Sequence, residues 1–140
     1  MSLTYRYQFE NYDSPFWAFA IHDGHQIDAH LMPYINISDE ERLREEDPYT
    51  AILAELPCNR FVSGTSRFQL DLNRKREDAI YLTPEQSWGM RVWRTDLPNE
   101  LKGQLYAAYD GIYEEISQAI QHTIDHYGYF IVYDIHSYNM

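Results

Sequence analysis

The stretch Ser63-Gly64-Thr65-Ser66-Arg67-Phe68-Gln69-Leu70-Asp71-Leu72-Asn73-Arg74 carries most of the information in this chain. Phe68, Leu70 and Leu72 alternate with Gln69, Asp71 and Asn73, the period of a strand with one buried face. The same parity predicts Arg67, Asp71 and Asn73 on the opposite face, with Arg74 at the strand's end. A guanidinium, a carboxylate and an amide side by side form a site for a planar anion, because guanidinium pairs bidentately with carboxylate. Five of the eleven Lys and Arg residues (Arg60, Arg67, Arg74, Lys75 and Arg76) fall in this short region of an acidic chain. The alternative is an edge strand guarded by charge.

Apolar runs on either side of this stretch complete an α/β pattern. Residues 4–10 alternate weakly, as a strand would, and Asn11 to Pro15 is turn chemistry. Phe16 to Ile21 and Tyr129 to Tyr133 are short continuous apolar runs, expected as strands buried on both faces, and Phe61-Val62 begins another. Ser38 with Glu41 fits a capping box opening a helix. Asp47-Pro48 restarts the helical pattern as N-cap and first helical residue, with Ile52, Leu53 and Leu56 as its buried stripe. Residues 75–98 are expected as a long loop lying over the site as a lid, with Trp88 and Trp93 as packing anchors. From Pro98 to His126, Leu101, Leu105, Ala108, Ile112, Ile116, Ala119 and Ile124 mark a wide amphipathic helix that Gly128 ends. His122 and His126, near its C-terminus, are expected to be structural.

Composition narrows the function. A chain of 140 residues suits one domain, and 44% hydrophobic content supports a core. The net charge of −11 argues against a nucleic-acid partner, which needs a basic face. Cys58 is the sole cysteine and fits a reducing compartment. The N-terminus has no basic-then-apolar leader, and the apolar runs are too short to span a bilayer, so the expectation is a cytoplasmic protein without a membrane partner.

Two histidines stand at the ends of apolar strands: His22 after Ile21, and His136 two residues beyond Asp134. In open α/β sheets the carboxyl ends of strands are where ligand sites form. Together with an acid at an intervening helix boundary they suit a three-ligand zinc site with one position left for water. Arg67 beside it would stabilise an oxyanion, while Asn73 and Arg74 hold a carboxylate.

Val62-Ser63-Gly64-Thr65-Ser66-Arg67, Asp71-Leu72-Asn73-Arg74 and Asp134-Ile135-His136-Ser137 resemble motifs of the N-formylglutamate amidohydrolase family. The Asn-Arg pair and the His-Ser motif are also similar to those of the wider zinc carboxypeptidase and aspartoacylase group. The resemblance runs from Ile21 to Asn139. It implies an α/β fold, phosphorylase/hydrolase-like (zinc carboxypeptidase-like), with a mixed sheet flanked by helices. It also implies Zn2+ and hydrolysis of an amide bond in a small anionic N-acyl amino acid. His22 and His136 would be the outer zinc ligands, with the middle ligand an acid, Glu46 or Asp47, in preference to His25. Arg67 would polarise the carbonyl and Asn73 and Arg74 would grip the substrate carboxylate.

Family members run longer, and their general base lies beyond the zinc-binding histidine, so residues 1–140 are expected to be the N-terminal part of a longer fold. The expectation is then a metal-ligand half-site with little turnover, and a strand edge that a homodimer or a C-terminal segment would cover. Glu10, Asp23 and Asp134 are conceivable substitute bases. The competing readings are a zinc carboxypeptidase-like peptidase and a metal-binding or ligand-binding domain without turnover.

Overall fold

Three parallel strands deliver their C-terminal ends to one edge of a mixed sheet, and this places the site. In a computed structural model that describes residues 2–139, the strands are β1 (Tyr7–Glu10), β2 (Phe16–Ala20), β3 (Asn59–Ser63) and β4 (Ile131–Asp134). They lie in the order β1-β3-β2-β4. β1 runs antiparallel to β3, whereas β2 is parallel to both β3 and β4, with Phe19 opposite Phe61 on one side and Asp134 on the other. The segments that follow β2, β3 and β4 begin with Ile21, Gly64 and Ile135, so they emerge together.

One face of the sheet is aromatic. Phe9, Phe19 and Tyr7 surround Phe61, with ring centroids 4.9, 5.4 and 5.8 Å away. Phe61 is fully buried, and burying such a ring contributes about 1.5–3 kcal/mol. The long helix on this face is α3, Asn99–Tyr127, which buries Leu101, Leu105, Ile112 and Ile116 as its periodicity predicts. Trp17 Nε1 donates to Thr123 Oγ1 at 3.0 Å, fixing the helix against β2. Gly128 ends it in the left-handed conformation, at φ 82°. Among the described residues no helix is long and apolar enough to cross a membrane.

The helix α1, Asp39–Glu45, has the expected capping box: Ser38 Oγ accepts from the Glu41 backbone and the Glu41 carboxylate from the Ser38 backbone. After it the pattern departs from expectation. The next helix, α2, is only Thr50–Leu53, and its N-cap is Tyr49 at φ 69°, so Pro48 is not its first residue. Ile52, Leu53 and Leu56 are exposed, because four residues cannot turn an apolar stripe onto the sheet. The buried side chains of this cluster are the small Ala18, Ala20, Ala54 and Cys58, with Phe16, Ala51, Val62 and Ile135 partly buried against them. The run Tyr129 to Tyr133 is likewise exposed at several positions: β4 is an outer strand, with Ile131 41% and Tyr133 50% accessible.

The 68–73 segment is not a strand. Gln69 N donates to Ser66 O and Arg74 N to Asp71 O, so the chain forms two successive turns. Ser66 Oγ and Asp71 Oδ1 each accept from the backbone N–H two residues on, at 3.2 and 2.8 Å, satisfying groups that a ladder would otherwise pair. The alternation reflects no single buried face, since Phe68, Gln69, Leu70, Asp71 and Leu72 are all buried. Gln69 is buried at no polar cost, accepting from Asp28 N and donating to Thr4 O.

The loops after β2 and β3 touch at Gly24. A Cβ there would stand 2.3 Å from the Gly64 carbonyl carbon and 2.5 Å from the Thr65 oxygen. Gln26 and Thr65 bridge the loops as parallel partners just beyond. Gly24→Ala is expected to destabilise the chain by about 1–3 kcal/mol. Gly103→Ala, with open space around it on α3, should stabilise it by about 0.5–1 kcal/mol. Urea denaturation of both variants checks the contrast.

Candidate metal centre and anion site

His22 lies two residues past the buried end of β2 and is 1% exposed. Its Nε2 is 2.7 Å from Asp71 Oδ1, in the turn that follows β3. Its Nδ1 has no hydrogen-bond partner and lies 3.5 Å from Asp47 Oδ2. The same Asp47 oxygen accepts from His136 Nδ1 at 2.9 Å, and the two imidazole centroids are 5.1 Å apart. Donor atoms of His22, Asp47 and His136 all lie within 4.8 Å of one another. The imidazoles therefore converge across a narrow gap on the same side of the sheet.

Asp47 is held for this position by its own backbone, whose N–H donates to His22 O at 2.9 Å. Glu46, the other candidate acid, turns elsewhere: its Oε1 is 2.6 Å from His25 Nδ1, and Arg42 binds the His25 carbonyl at 2.6 Å. His25 thus braces the loop rather than joining the triad. Asp23 does the same from the other side, accepting from Ala51 N at 3.0 Å.

The electrostatics suit a cation. Burial opposes charge on His22, but the flanking Asp47 and Asp71 carboxylates outweigh it and raise its pKa. Burial would raise the Asp71 carboxyl, yet His22 and Arg67 hold it well below the usual carboxylate range. Asp47 is lowered in the same way, by His22 and His136 against its burial. An unpartnered Nδ1 on an imidazole whose other nitrogen is held by a carboxylate is the arrangement of a metal ligand with its supporting acid. Two imidazoles and one carboxylate fit a divalent cation.

Arg67 adjoins the triad. Its Nε donates to Tyr81 Oη at 2.8 Å, Nη1 to Glu45 O at 2.9 Å, and Nη2 to Asp71 Oδ2 at 3.1 Å. These use three of the five N–H donors of a guanidinium. Its Cζ also sits 4.8 Å from the Trp88 ring centroid. A cleft of about 500 Å3 is lined by His22, Asp47, Arg67, Asn73, Trp88 and His136, with Glu45 among the rest. Arg74 does not line it; its guanidinium lies 4.8 Å over the Tyr81 ring, and its Nε is 3.7 Å from Asp71 Oδ2.

A turn, not the strand face that alternation suggests, unites Arg67, Asp71 and Asn73. Alternation gives no sign of Tyr81, and Trp88, expected as a packing anchor, is half-exposed. The 75–98 segment has turns at Arg76–Asp78 and Pro84–Gln86 and does bring Trp88 to the cleft, half-exposed at φ 54°, while Trp93 is buried as a packing anchor. Gly89 after Ser87-Trp88 was the available sign of a tight turn.

A larger cleft of about 610 Å3 lies between α3 and the β1–β2 turn, lined by residues including Trp17, Asn59, His122 and His126. Its buried polar groups are already engaged, Asn59 with Ser14 O and Tyr12 N, and Thr123 with Trp17. The smaller cleft is where unengaged chemistry converges.

The model of the N-formylglutamate amidohydrolase family matches residues 14–140. The chain belongs to that family. No curated protein matches it. The fold is similar to the crystal structure of a gene product from Agrobacterium tumefaciens, with a TM-score of 0.70 at 18% identity. That likeness covers 99% of this chain and 57% of the other, so the chain spans little more than half the length of that neighbour.

If the triad holds a cation, Asp47→Ala should weaken Zn2+ or Co2+ affinity at least a hundredfold. Glu46→Gln should change it by less than about tenfold, the lower bound for a supporting group. Competition with a chromogenic chelator measures both, and equal losses would remove Asp47 from its place as the acidic ligand.

Proposed function

We propose that this chain carries the metal-binding and anion-binding half of a zinc-dependent amidohydrolase site acting on a small N-acyl amino acid, N-formylglutamate or a close relative. The observation that carries the reading is the convergence of His22, Asp47 and His136 beside Arg67 in one cleft. A bound zinc ion, held by those three side chains, would supply Lewis-acid polarisation and activation of water at neutral pH.

The protein's own groups do the rest. Asp71 accepts from His22 Nε2 and so directs the lone pair on Nδ1 toward Asp47. Arg67 has two donors left for the oxygen of the scissile carbonyl, where negative charge develops. Asn73 lines the cleft and Arg74 adjoins it in sequence; they are assigned the substrate carboxylate. Of the acids lining the cleft, Asp47 is committed to His136, which leaves Glu45 to move a proton. Glu10, Asp23 and Asp134, the bases considered from sequence, do not line it.

A peptidase of the zinc carboxypeptidase kind is the second enzyme reading, and a metal-binding domain without turnover is the third. The cleft volume of about 500 Å3 accommodates a small ligand and favours the N-acyl amino acid.

The test is zinc-stimulated release of formate from N-formylglutamate by the purified chain. Tight metal binding with no release from this or other N-acyl amino acids would favour the non-catalytic reading. Where turnover is measurable, Arg67→Ala should lower kcat by about a hundredfold or more with little change in KM. Arg74→Ala should chiefly raise KM, since a carboxylate contact is present in ground and transition states alike. The reverse pattern would exchange the two assignments.

A further inference from the structure

Arg67 and Arg74 both contact a residue that neither motif contains. Tyr81 is 1% exposed and belongs to the irregular segment after the Arg76–Asp78 turn. Asp71 N donates to Ala79 O at 2.8 Å, which ties that segment to the turn carrying Asp71. The Tyr81 hydroxyl is engaged twice: it donates to Asp71 Oδ2 and accepts from Arg67 Nε. Its ring face carries the Arg74 guanidinium. Phe68 and Trp88 lie edge-on to the ring, with centroids 5.5 and 6.0 Å away.

Each contact has a separate consequence. Arg67 Nε lies in the rigid plane of the guanidinium, so its capture by a buried hydroxyl, with the Glu45 and Asp71 contacts, helps to aim the remaining Nη donors. Asp71 receives His22, Arg67, Tyr81 and the Asn73 backbone. Its grip on the His22 tautomer therefore depends on its other partners being filled. The ring offers Arg74 a cation–π seat, its Cζ 4.8 Å from the ring centroid.

We propose that Tyr81 is a positioning residue with two separable parts: its hydroxyl orients Arg67 and, through Asp71, the ligand nitrogen of His22, while its ring seats Arg74. The assignment to a reacting substrate rests on the amidohydrolase reading; the orientation of the two arginines does not.

The test uses the full chain with Tyr81→Phe, Tyr81→Leu and, as a packing control, Phe68→Leu. Solvent exchange of the Arg67 Nε–H, followed by NMR, should accelerate about tenfold or more in Tyr81→Phe and little in Phe68→Leu. Co2+ affinity should fall about tenfold in Tyr81→Phe, the lower end for a group that supports a metal ligand. Phe68→Leu should keep that affinity while losing thermal stability. Binding of N-formylglutamate, by calorimetry with Zn2+ present, should weaken about two- to tenfold further in Tyr81→Leu than in Tyr81→Phe, because only the latter keeps the ring.

If Tyr81→Phe matches the wild type in both Arg67 exchange and metal affinity, or if Phe68→Leu loses as much affinity, the positioning role is wrong. A wild-type chain that binds Co2+ but neither binds nor hydrolyses N-formylglutamate would instead overturn the amidohydrolase reading. The exchange and metal measurements would still decide Tyr81.

Discussion

A buried carboxylate, Asp71, is the constraint on which the rest of the site depends. It is wholly inaccessible to solvent, and an isolated charge there would cost several kcal/mol in lost hydration. The cost is offset because its oxygens receive His22 Nε2, the Tyr81 hydroxyl, Arg67 Nη2 and the Asn73 N–H, with Arg74 close by. Those donors come from the loop after β2, the turn after β3 and the segment beyond it. One side chain thereby joins three pieces of chain that have no regular secondary structure of their own. Removing it would leave the Arg67 donor, the Tyr81 hydroxyl and one imidazole nitrogen without their acceptor, which is why such a group is tolerated in a core.

The parallel strands explain why those pieces meet. Antiparallel neighbours send their connections to opposite edges, whereas β3, β2 and β4 end side by side. His22, Ser66–Asn73 and His136 are neighbours for that reason. Gly24 then allows the first two loops to approach more closely than any side chain permits. Asp47 arrives from the end of α1 and is locked by a backbone hydrogen bond to His22, so the acid and the imidazole move as one unit.

The two faces of the sheet are unequal. The aromatic face is closed by α3, while the alanine face has only a four-residue helix and leaves Ile52, Leu53, Leu56, Ile131 and Tyr133 accessible. The solved neighbour is covered by this chain over only 57% of its length, so its fold contains more than the sheet and helices described here.

Much of this was legible in the residues alone. Local chemistry sufficed for the capping box at Ser38, the end of α3 at Gly128 and the apolar strand β2, because caps, helix stripes and short apolar runs are set by neighbours in sequence. The residues that motif chemistry selects, His22, His136, Arg67 and Asn73, line one cleft. Tertiary structure alone puts Asp47, and not Glu46, beside the two imidazoles. The two acids are adjacent, with the same charge, and differ only in whether the backbone turns them toward His22 or His25. It also decided that Phe68 to Asn73 is a pair of turns, since an alternating pattern cannot reveal that Gln69 and Asp71 find buried partners in distant segments. Tyr81 was invisible for the same reason: a tyrosine among thirteen acquires its role only when a carboxylate and two guanidiniums, each brought by folding, surround it.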